Sequence, residues 1–103
     1  MSLDCVMDRQ QMRLQLTGEI DHHRAGRLMK ELELELDLNC PQILELDLGG
    51  VTFMDSSGIA LVLKAHRTMA LSGGKLRLVR VPPQPGRVLR CAGLDRLFSI
   101  TPL

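Results

Sequence analysis

The chain has 103 residues, 45% of them apolar, and 13 Lys/Arg against 12 Asp/Glu give a formal net charge of +1. That length fits one domain, residues 1–103, and folding buries about two-thirds of the extended surface, enough for a core without covalent staples. With no Trp or Tyr and only Phe53 and Phe98, the chain lacks stacking platforms for single-stranded nucleic acid; its balanced charge gives no general polyanion field.

Leu3, Cys5 and Met7 alternate with polar neighbours, as do Met12, Leu14 and Leu16. With a break at Asp8-Arg9-Gln10-Gln11, this predicts two short antiparallel strands, the second ending at Gly18. Asp21 is placed as the N-cap of a helix beginning at His22-His23, with an apolar face of Ala25, Leu28, Met29, Leu32 and Leu36. The alternation of Leu32, Leu34, Leu36 and Leu38 with acids has the period of a strand. Leu, Glu and Lys are nevertheless strong helix formers, so the helix is carried to about Leu38, where Asn39 and Pro41 stop it.

Ile43 to Leu48 reads as a strand closing at Gly49-Gly50, and Val51 to Met54 leads into a helix from Ser56 to Leu71. Its expected buried stripe is Ile59, Val62, Leu63, His66, Met69 and Ala70, and Gly73-Gly74 is its stop. Leu76, Leu78 and Val81 mark the next strand. Pro82 to Gly86 breaks the chain, Arg87 to Cys91 forms a short helix, and Leu97 to Ile100 adds an edge strand. The order β-β-α-β-α-β-α-β predicts an α/β fold: one small mixed, mostly parallel sheet with covering helices.

Cys5, Cys40 and Cys91 are odd in number and lack metal spacing, so they are expected to be reduced, core-type residues of a cytoplasmic protein. No stretch approaches the ~20 apolar residues of a membrane span, and no membrane contact is expected. No metal or cofactor is expected either. His22 and His23 are adjacent, about 100° apart on a helix, and poorly placed to share an ion.

The polar cluster Asp55-Ser56-Ser57-Gly58 stands between two apolar stretches, and three readings compete for it. Asp55 is a good N-cap, the plainest reading. A hydrolase nucleophile elbow needs glycine two residues before and two after the serine; Met54 occupies the first position for Ser56, and Asp55 and Ile59 fail both for Ser57. A serine in the first turn is also a possible phosphate acceptor, since free backbone N–H groups and the helix dipole tolerate added negative charge there. Gly58, costly inside a helix, points to a close approach at the helix start.

Leu16-Thr17-Gly18-Glu19-Ile20-Asp21-His22-His23 and Phe53-Met54-Asp55-Ser56-Ser57-Gly58 resemble the two signature stretches of STAS domains, in particular the anti-sigma factor antagonists of bacterial sporulation. The likeness extends through Gly73-Gly74, Pro85 and the segment 89–98. It implies a sheet covered by helices and no enzymatic activity. It also implies that the unphosphorylated form binds an anti-sigma factor serine kinase and so frees a sigma factor. The kinase then phosphorylates the serine after the motif aspartate, here Ser56, and a PP2C-type phosphatase reverses it. Asp21, Asp55, Ser57 and Gly58 are implied to lie with Ser56 on the partner-facing surface. Nucleotide and Mg²⁺ would belong to the kinase. An interaction module that is never phosphorylated is the alternative that the same family allows.

Overall fold

The computed structural model describes residues 2–103. Its elements are β1 (Ser2–Asp8), β2 (Gln11–Ile20), α1 (His22–Asn39), β3 (Ile43–Met54), α2 (Ser56–Leu71), β4 (Lys75–Val81), α3 (Pro83–Cys91), a 3-10 turn at Leu94–Arg96 and β5 (Ser99–Pro102). The five strands form one sheet in the sequential order β1-β2-β3-β4-β5. β1 pairs antiparallel with β2 through a two-residue turn, Asp8 facing Gln11, with Arg9 at φ 59°. β2, β3, β4 and β5 are mutually parallel. This is the mixed, mostly parallel sheet with covering helices that the strand and helix order predicted.

Sequential parallel strands have a physical consequence. Each crossover between parallel neighbours is right-handed, so a strand order that never reverses puts every crossover helix on the same face of the sheet. On that face Met12, Leu14, Leu16, Leu44, Leu46, Leu48, Leu76 and Leu78 meet Leu28, Leu32 and Leu36 of α1, Leu61, Val62 and Met69 of α2, and Leu89 of α3 in one buried cluster. The alternate positions of the same strands, Arg13, Glu45 and Arg77, stand on the opposite face and are charged.

On that face the buried residue is an acid. Asp47 is 1% exposed; its Oδ2 accepts from Arg13 (2.7 Å) and Arg80 (3.1 Å), and its Oδ1 accepts from the Gly49 amide (2.8 Å). Glu45 pairs with Arg13 and Arg77 at 3.5 Å each. Cross-strand opposite charges thus tie β2, β3 and β4 together where no helix covers them. Arg80 holds φ 52° within β4, a rare conformation for a side-chain-bearing residue, and the β4–β5 register shifts between Leu78 and Val81. Burial pushes the Asp47 carboxyl up, but hydrogen bonds from Arg13 and the Gly49 amide, with the charge of Arg80, outweigh this and hold it below its ordinary value.

Several expectations are corrected. β2 does not end at Gly18; it continues to Ile20 across two register shifts against β3. β3 does not close at Gly49-Gly50. It runs on to Met54, because Gly50 and Val51 still pair with Thr17 and Gly18. The glycine at 49 serves clearance: a Cβ there would lie 2.7 Å from Arg80 Cζ, where the guanidinium crosses toward Asp47. Pro82 to Gly86 does not break the chain, since α3 begins at Pro83; prolines are tolerated in a first turn, where backbone N–H groups have no helical partner. The buried stripe of α2 is Gly58, Leu61, Val62, Ala65 and Met69, turned from the expected one; Ile59, Leu63 and His66 are half-buried and Ala70 is exposed. All three cysteines are exposed rather than in the core: β1 is an edge strand, and Cys40 and Cys91 end helices.

The depressed Asp47 carboxyl stabilises the fold at any pH above the ordinary carboxylate value of about 3.9, and this contribution is lost as pH falls through the lower folded value. Asp47→Asn is therefore expected to flatten the acid limb of a stability–pH curve. Asp47→Ala should lower neutral-pH stability by about 1–3 kcal/mol in urea unfolding; an unchanged midpoint would show that the paired face is not stabilising.

Candidate functional site

The sequence-predicted residues converge at the carboxyl ends of β2 and β3, where α1 and α2 begin side by side. Asp21 is the N-cap of α1: Oδ1 accepts from the amides of His23 and Arg24, each at 3.0 Å, and Oδ2 accepts from the Arg24 guanidinium at 2.7 Å. Burial pushes the Asp21 carboxyl up, but the Arg24 amide and guanidinium, with the amide and charge of His23, hold it below its ordinary value. His22 and His23 are exposed, their rings edge-to-face at 5.6 Å.

Asp55 is the N-cap of α2, and it caps two helices at once. Its Oδ1 accepts from the Ser57 amide at 2.8 Å, and its Oδ2 accepts from the His22 amide of α1 at 3.2 Å. Its own amide donates to the Ile20 carbonyl at 3.1 Å. One carboxylate therefore satisfies orphan donors at two helix starts and fixes their spacing.

Ser56 is the first residue of α2 and is exposed; Ser57 is half-buried and Gly58 is buried. The close approach that Gly58 suggested is internal: a Cβ there would collide with the side chain of Met54, which is fully buried. Glycine lets α2 start directly over the end of β3 and leaves Ser56 as the outward group.

Two participants were not among the site residues expected from the sequence. Gln84 of α3 clasps the end of β3 with both ends of its amide, Oε1 accepting from Met54 N–H at 2.9 Å and Nε2 donating to Met54 C=O at 2.7 Å. Phe53, one of two aromatic residues in the chain, is 43% exposed beside this cluster rather than in the core; its position two residues before Asp55 was the available hint.

Residues 4–101 match the model of a family described as Mlab, STAS domain. The chain belongs to the STAS domain family. An anti-sigma F factor antagonist of Paenibacillus polymyxa is 28% identical over 87 residues, which cover 84% of this chain and 74% of that protein. The solved structure of the anti-sigma factor antagonist SpoIIAA in its unphosphorylated form superposes with a TM-score of 0.83 at 23% identity, over 99% of this chain and 89% of the other. The Bacillus cell-fate determinant SpoIIAA in its phosphorylated form gives 0.73 at 24% identity, covering 99% and 92%. Both structures bear out the STAS fold.

In this STAS domain the clasp from α3 makes the corner depend on three helices rather than two. Gln84→Ala is expected to cost about 1–3 kcal/mol, because it leaves two backbone groups of Met54 without partners. Hydrogen exchange should show the Met54 amide losing protection ahead of global unfolding; protection equal to wild type would show that the clasp is dispensable.

Proposed function

We propose that this STAS domain is an anti-sigma factor antagonist switched by phosphorylation of Ser56. The unphosphorylated form binds an anti-sigma factor that is also a serine kinase, releasing the sigma factor; phosphate on Ser56 breaks that complex, and a PP2C-type phosphatase restores it. The protein is a regulatory binding protein of the cytoplasm and no reaction is assigned to it. The naming of its relatives as anti-sigma factor antagonists supports this reading, as does the likeness to a protein solved in both phosphorylation states.

The observation that carries it is an exposed hydroxyl at the first position of α2, directly after a carboxylate already engaged by two helices. A phosphate adds about 1.5 to 2 negative charges. At a helix start the backbone N–H groups and dipole accommodate them, so the core packed beneath α2 is undisturbed. What changes is the surface. Asp21, Asp55 and Ser57 shape a docking face around Ser56, with Gly58 contributing from beneath by letting α2 start close over β3, and the exposed ring of Phe53 suits a partner's apolar pocket. New charge beside Asp55 repels an acidic or apolar partner face and leaves a desolvated anion in any close contact.

Incubation with the cognate anti-sigma factor kinase, ATP and Mg²⁺ is expected to place one phosphate on Ser56, located by mass spectrometry. Ser56→Ala should keep the fold and bind the anti-sigma factor irreversibly with respect to ATP. Ser56→Asp should weaken binding at least about tenfold, roughly 1.4 kcal/mol. Equal affinities for the two variants, or phosphate elsewhere in the chain, would sink the proposal.

A further inference from the structure

Ten residues beyond Ser56, about 15 Å along α2 at 1.5 Å per residue, His66 rims a second feature of the surface. It is a cleft of about 410 Å³ whose walls also include Lys75, Arg77, Leu97, Phe98 and Ser99, a size within the range of small-molecule sites. The cleft opens where β5 starts late: Ser99 faces Arg77, so Lys75 and Leu76 extend beyond the edge strand.

Its chemistry is two-sided. The Phe98 ring packs on the core and lies 5.5 Å from the His66 ring at 45°, and Leu97 is half-exposed, giving an apolar wall. Lys75 is exposed with no ion-pair partner among the described residues, whereas the Arg77 guanidinium is engaged by Glu45 at 3.5 Å on the helix-free face. No acidic side chain lines the cleft. The surroundings reinforce this: from Lys64 to Leu103 the sequence holds eight lysines and arginines and a single acid, Asp95. Because strand order follows sequence order, these charges collect toward the β4–β5 side of the sheet, where the potential favours anions.

We propose that this cleft binds a small aromatic anion, a single ring carrying a carboxylate or a phosphate monoester. The ring lies against Phe98 and His66, and the anionic group meets Lys75 at the uncovered edge of β4. An inorganic anion would leave the apolar wall wet, and a neutral ring would leave Lys75 unused. The site is separate from Ser56, and the proposal does not rest on the reading given for that serine.

The test is a ¹H–¹⁵N NMR titration of the full chain with phenyl phosphate, benzoate, inorganic phosphate and benzyl alcohol. Phenyl phosphate or benzoate is expected to shift the amides of Gly74, Lys75, Phe98 and Ser99 saturably while those of His22 and Ser57 stay still; which of the two binds more tightly identifies the anionic group. Inorganic phosphate and benzyl alcohol should each bind at least about tenfold more weakly. Lys75→Glu, an exposed change, should weaken the better aromatic anion about tenfold or more, and Phe98→Leu should weaken it while keeping the apolar volume. No saturable shift at these amides, shifts centred on Ser56 and Ser57, or undiminished affinity in Lys75→Glu would overturn the proposal.

Discussion

The Asp55 carboxylate is the point on which this molecule turns. It accepts the Ser57 amide of its own helix and the His22 amide of the neighbouring one, so α1 and α2 start at a fixed separation above the ends of β2 and β3. Remove that acceptor and two helix N-termini each lose a partner for a backbone donor, the kind of group whose loss is costly when water cannot replace it. The same arrangement decides what Ser56 can be. With the acid committed to holding the corner and Met54 filling the space beneath Gly58, the serine side chain is the group left facing outward.

A second constraint acts across the whole sheet. Strands laid down in sequence order give helices on one face only, an unusual state for mostly parallel strands, which normally bury both. The bare face is held by charge. Asp47 lies under Arg13 and Arg80 while Glu45 is shared between Arg13 and Arg77. This pairing satisfies polar groups that would otherwise compete with the ladder, and one of its members, Arg80, holds a left-handed backbone conformation. Sequential order also sorts charge in space, so the acid-poor C-terminal stretch becomes one side of the molecule.

How much of this was legible in the sequence depended on the range of the interaction. Local signals carried well: Asp21 and Asp55 announced two caps, and the 3.6-residue spacing in α1 outweighed the alternation of its leucines with acids, as helix propensity said it should. Glycine was misread where its purpose was long-range. Gly49 reads as a strand terminator but gives room to a guanidinium from β4, while Gly18 sits where the β2–β3 register shifts. The prolines at the start of α3 look like breakers, yet Pro83 and Pro85 fall in a first turn where their missing N–H is harmless. Gln84 and Asp47 act across 30 or more residues of chain, and nothing in their local sequence distinguishes them from solvated polar residues. The cysteines were assigned by residue-type habit, and edge-strand and helix-end positions put them at the surface.

One carboxylate couples the starts of α1 and α2 and thereby isolates Ser56 as the outward group. Native-state hydrogen exchange on Asp55→Ala, read at the amides of His22 and Ser57, measures that coupling. Both amides are expected to lose protection together while those of Leu46 and Leu78 in the sheet keep theirs. Loss at Ser57 with His22 unchanged would mean that Asp55 caps a single helix and that the two helix starts are not coupled.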